Sequence, residues 1–150
     1  MPSSAATSES PEATTSRRGL NAALWIAQIL LALAFGMAGV MKLGTPLAEL
    51  GQKMSWVRAV PGGLVRFIGA SELAGSLGLI LPAATRVRPG LTPLAASGLI
   101  TIMVLAIPVH LVHGELSVVG VPIAIGALAA FVAWGRFRKL PIAPRNPAAR

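Results

Sequence analysis

Apolar residues in this chain do not alternate with polar ones. They run in four blocks, about residues 20–43, 63–81, 91–111 and 118–135, separated by short segments rich in Gly, Pro or basic residues. A helix needs roughly 20 mostly apolar residues to cross a hydrocarbon core of about 30 Å. The pattern therefore predicts an all-α fold: an integral membrane four-helix bundle over residues 20–139, in contact with the lipid bilayer. One connection is itself patterned. After Thr45-Pro46, a capping residue and a proline suited to a helix start, Leu47, Leu50, Met54 and Val57 recur at helical spacing with polar residues between them. This predicts a short interfacial amphipathic helix between spans one and two, with Trp56 as its anchor.

Small residues mark the helix contacts. Gly36 and Gly39 fall near one face of span one with Ala32. Span two offers Gly69, Ala70, Ala74, Gly75 and Gly78, close enough in spacing to let neighbouring helices approach. Pro82 closes span two, and Pro108 predicts a kink near the end of span three. Residues 1–19, rich in Ser, Thr, Ala and Pro up to Ser16, and residues 140–150, basic and proline-containing, read as disordered tails. Arg17 and Arg18 read as the flank of span one in preference to a twin-arginine export signal, because three more spans follow.

Polar groups inside the blocks change the picture from bundle to candidate site. Glu72 stands near the middle of span two, about 14 Å from its start at the helical rise per residue. A charge at that depth is expensive, about 2.5–3.5 kcal/mol on insertion scales, and marks a cavity, a pairing or a function. Arg66 lies about 9 Å nearer the start of the same span. The two are six residues apart and not on one face, so a partner for either on another helix stays open.

The cations set an expected orientation. With both termini cytoplasmic, Arg17, Arg18, Arg86, Arg88, Arg136, Arg138, Lys139, Arg145 and Arg150 are inside, nine in all; Lys42, Lys53, Arg58 and Arg66, four in all, are outside. The expected location is the inner membrane. Lys42, His110, His113 and Glu115 then gather with Arg66 in the outer half, above a layer of Glu72, Gln28 and Thr101. The expectation is an outward-facing pocket of these ligand-binding candidates, with Glu72 as candidate proton relay. Lys42, His113 and Glu115 are also consistent with snorkelling at span ends, and His110 with bonding a carbonyl freed by Pro108.

Composition bounds the chemistry. Apolar residues make up 54% and charged residues 12% of the 150 residues, which fits a membrane chain and not a soluble domain. The net charge of +8 comes in clusters flanking apolar blocks, without aromatic interleaving, so no nucleic-acid partner is expected. There is no cysteine, which excludes disulfides and thiol redox chemistry in this chain. His110 and His113 with Glu115 are too few for a metal site, and no second axial ligand for haem is evident.

The run Ala38-Gly39-Val40-Met41-Lys42-Leu43, the segment Met54-Ser55-Trp56-Val57, the run Arg66-Phe67-Ile68-Gly69-Ala70-Ser71-Glu72-Leu73 through Gly78 to Pro82, Leu91-Thr92-Pro93-Leu94-Ala95-Ala96, and the His110…His113-Gly114-Glu115 ending together resemble the DoxX-like family of small bacterial four-span membrane proteins. The resemblance implies a place in membrane redox complexes, since the family is named for a subunit of a quinone-linked sulfur oxidoreductase. Most members have no established activity. Two function classes stay open at this point. One is an accessory or quinone-interacting subunit of a membrane oxidoreductase complex, working with redox partner subunits. The other is a small homo-oligomeric transporter or proton-coupled permeation unit, with a non-catalytic scaffold beside them. No cofactor is evident in the residues, a quinone being the one the resemblance leaves open, and an autonomous enzyme is the less favoured reading.

Overall fold

The computed structural model describes residues 11–145, with side chains from residue 14 onward. The elements are α1 (Pro11–Gly44), α2 (Leu47–Lys53), a 3-10 turn (Ser55–Ala59), α3 (Gly62–Thr85), α4 (Leu91–Val112) and α5 (Gly120–Trp134), which a π-helical turn (Gly135–Lys139) extends. No strand occurs among the described residues. Four of these helices, α1, α3, α4 and α5 with its extension, are long and apolar enough to cross a membrane.

The boundaries differ from the hydrophobic blocks in three places, each for a local reason. α1 starts at Pro11, nine residues before the expected span, so part of the segment read as a disordered tail is helical. Polar residues do not stop a helix; they only stop it being apolar, and proline at a helix start sacrifices no backbone bond. At 34 residues α1 is about 51 Å long and must extend well beyond a core of about 30 Å. Residues 1–10 lie outside the described part. α3 passes through Pro82 and ends at Thr85, where Arg86 turns left-handed at φ 59°. Thr85 Oγ1 donates to the Leu81 carbonyl at 2.7 Å, closing the last turn. The surface helix is broken at Met54, which is extended, so the amphipathic stripe is split between α2 and the 3-10 turn. Its buried side is real: Leu50 and Val57 pack on Val65 of α3, with Met54 and Trp56 against them.

The helices form an antiparallel ring in the order α1, α3, α4, α5 and back to α1. Its centre is filled by Ala27, Leu31 and Phe35 of α1, Leu79 of α3, Ala96 and Leu99 of α4, and Ala129, Val132 and Ala133 of α5. Apolar side chains such as Leu33, Met37, Phe67, Leu105 and Val121 face outward. That inversion of the soluble pattern is what a lipid solvent permits.

Backbone approach is closest between α1 and α3. A Cβ on Gly39 would stand 2.7 Å from the Gly69 carbonyl oxygen, and one on Gly69 2.8 Å from Lys42 Cβ. Gly36 lies against Ser76, whose hydroxyl donates to the Ala32 carbonyl at 2.7 Å. On its other side α3 meets α4 through Gly75 against Leu99 and Gly78 against Ala95. Ala70 and Ala74 are exposed and belong to neither contact. The buried stripe of α3 is Val65, Gly69, Glu72, Ser76, Leu79 and Ala83. Positions 70 and 74 follow buried or interface residues by one step, about 100° round the helix.

Candidate functional site

Three polar clusters occupy the bundle, two at one end and one at the other. The end shared by the C-terminus of α1, the N-terminus of α3 and the C-terminus of α4 holds the charged pair that the fold buries most completely. Lys42 Nζ donates to both carboxylate oxygens of Glu72, at 2.9 and 2.7 Å. The two side chains are 8% and 5% exposed, so the pair is effectively dry. Its position follows from the glycines. Gly39 and Gly69 bring α1 and α3 together one turn from Lys42 and Glu72 respectively, close enough for the lysine stem to cross the interface. Arg66 does not bond Glu72; its Nη1 donates to the Lys42 backbone carbonyl. The last four carbonyls of a helix lack intrahelical donors and carry the negative end of its dipole. Arg66 and Lys42 therefore both sit where α1 favours cations.

This decides between alternatives that the sequence left open: Lys42 is buried and does not snorkel, and Glu72 takes its counter-ion from α1 and not from its own helix. The lysine lies 30 residues away in sequence, and only the α1–α3 packing places it there.

The second cluster lies at the same end, on the rim. Glu115 accepts from the Ser55 hydroxyl through Oε1, and its Oε2 is 2.6 Å from His110 Nδ1. One carboxylate thus ties the surface segment to the end of α4. The Ser55 hydroxyl, then His110, hold the Glu115 carboxyl below the ordinary carboxylate value of 4.5. His113 turns back to the Val109 carbonyl, Nδ1 to oxygen 2.8 Å, and does not join this group. His110 bonds a carboxylate and not a carbonyl freed by Pro108. Among the described residues no three His, Asp or Glu side chains converge on a potential metal position.

The third cluster is at the opposite end. Gln28 Nε2 donates to the Leu79 carbonyl at 2.7 Å, and Gln28 Oε1 accepts from Arg136 Nε at 2.7 Å. Arg136 Nη1 donates to Asn21 Oδ1 at 2.9 Å, and the guanidinium carbon is 5.6 Å from the Trp25 ring centre. Gln28 is therefore not level with Glu72. Its partner Leu79 is seven residues further along α3, about 10 Å away at the helical rise. Thr101 also leaves the expected layer: it is exposed, and its hydroxyl donates to Ser97 of its own helix at 3.2 Å. The expected pocket thus loses Gln28 and Thr101 as lining groups.

Arg136, read from the sequence as a flank cation, is only 4% exposed. The π-helical turn widens α5 at Gly135, where a Cβ would come within 2.4 Å of Leu24 Cδ2. That close seat against α1 aims Arg136 inward. A signal for it was present in Asn21 and Gln28, two polar side chains seven residues apart and hence on one face of an otherwise apolar block.

A chain of four antiparallel spans, with apolar faces outward and a buried ion pair within, defines a multi-pass helical membrane protein. More particularly, this chain belongs to the DoxX-like family, whose sequence model matches residues 26–132. No curated protein and no solved structure matches it.

Proposed function

We propose that this protein is an accessory subunit of a membrane oxidoreductase complex, and that the Lys42–Glu72 pair is the point where a quinone head group or its protons engage it. The observation that carries this reading is the burial of that pair. An apolar pair of similar volume is often as stable as a buried ion pair or more so. A charged pair kept within a span is therefore by default a functional group. Lys42 Nζ supplies a donor and a proton to the carbonyl of a quinone being reduced, and the Glu72 carboxylate relays the replacement proton to Lys42. The electrons come from a partner subunit, since a chain without cysteine has no thiol couple to give them. The proposed setting is the inner membrane with both termini cytoplasmic, which the nine-to-four division of cations supports.

A second reading has an observation of its own. Lys42 and Glu72 satisfy each other, and Arg66 closes the end of α1, so the cluster also suits a scaffold that holds α1 and α3 in register for a partner. The experiment that separates them is purification in native lipid, with quinone extracted and quantified, for the wild type and Glu72→Gln. Retained quinone that falls in the variant supports the first reading. No quinone, together with loss of assembly in the variant, leaves the scaffold.

A further inference from the structure

The opposite end of the bundle carries a feature that the Lys42–Glu72 centre does not use. A groove of about 770 Å³ opens beside the end of α5, lined by Ala133, Trp134, Phe137, Arg138 and Lys139. Trp134 and Phe137 are about half exposed, and Lys139 Nζ stands 5.5 Å from the Trp134 ring centre. Arg136 is not in the lining; it turns to Gln28, Asn21 and Trp25 of α1, with its Nη2 buried without a hydrogen-bond partner. Among the described residues no ion pair involves Arg136, Arg138 or Lys139. Of the chain's five acids, Glu9 and Glu12 stand ahead of the described side chains. Glu49, Glu72 and Glu115 are engaged at the other end, by Lys53, Lys42 and the Ser55–His110 pair respectively. Arg86 and Arg88 of the α3–α4 turn add cations to this same end.

We propose that this groove binds the phosphodiester headgroup of an anionic phospholipid. The charge, the chemistry and the depth agree. Arginine offers a planar fork that fits phosphate oxygens, and lysine a point charge beside it. Indole and phenyl rings favour the headgroup level, where one side is apolar and the other wet. Basic pockets at the ends of membrane helices are a recurrent means of holding such headgroups. The acyl chains then lie along Trp134 and Phe137, the exposed apolar residues of the groove.

The test uses the full chain in detergent micelles containing equal phosphatidylglycerol and phosphatidylcholine, with retained lipid read by native mass spectrometry. The wild type should retain the anionic lipid in preference. Each cation near an anionic surface is worth about a fivefold change in binding, so Arg138→Gln with Lys139→Gln should bind about 25-fold more weakly. Both residues are exposed, so the variant should elute from a sizing column as the wild type does. Arg86→Asn with Arg88→Asn removes the same charge at the same end but outside the groove lining, with a residue that tolerates the left-handed backbone; it should lose clearly less than the groove variant. Equal retention of phosphatidylcholine would overturn the proposal. So would an equal loss in the control variant, which would reduce the effect to bulk charge. Displacement by inorganic phosphate at millimolar concentration would also overturn it, by assigning the site to a free anion.

Discussion

Lys42 and Glu72 give the sharpest test of how this bundle is held together. Replacing Lys42 by Met keeps the stem that crosses from α1 to α3 but removes the ammonium and both of its bonds, at 2.9 and 2.7 Å. The carboxylate left behind is 5% exposed, too deep to be rescued by water without a change in the packing. Removing one partner of a buried pair typically costs about 3–5 kcal/mol, most of it the penalty of the stranded charge. Glu72→Leu should cost a similar amount by stranding the ammonium. The double variant Lys42→Met/Glu72→Leu strands nothing and should recover most of the loss, since apolar replacements of buried pairs are often neutral. Reversible unfolding in mixed micelles, followed by circular dichroism, gives the three free energies and their coupling. Additive losses, with the double variant as weak as the sum of the singles, would refute the account of a dry, mutually dependent pair. A Lys42→Met loss below about 1 kcal/mol would do the same, because that is the value of an exposed pair.

The other predictions concern the surroundings of this pair. Gly69→Val should destabilise the bundle by at least about 1–3 kcal/mol, because its Cβ would meet Lys42 Cβ at 2.8 Å, whereas Ala70→Val, on an exposed position, should stay within about 0.5 kcal/mol in the same assay. Acidification should loosen the surface segment: the Glu115 carboxyl is held below 4.5, so its contribution is complete above that pH and is lost as pH falls through the lowered value. Trp56 fluorescence anisotropy should fall in that range, and Ser55→Ala should move the transition to higher pH; a transition unmoved by Ser55→Ala would count against the tie. Thr101→Val should leave stability and any Glu72-dependent activity unchanged, since its hydroxyl bonds only its own helix.

Hydrophobic patterning alone sets the solvent, the number of spans and their alternation. Long uninterrupted apolar blocks are costly in water, and once in lipid every backbone group must bond within its own helix. It also singled out Glu72, because a carboxylate at that depth stands out against any apolar background, and the chemistry of Glu115 with His110 was within reach of its local spacing. What tertiary structure decided was pairing. Lys42 and Glu72, Gln28 and Arg136, Ser55 and Glu115 are 30, 108 and 60 residues apart, and no local periodicity joins them. Depth along a span can be counted from the helical rise, but rotation about its axis depends on where backbones touch. Gly39 against Gly69 turned Lys42 inward, Gly135 against Leu24 did the same for Arg136, and the absence of any such contact left Thr101 facing lipid.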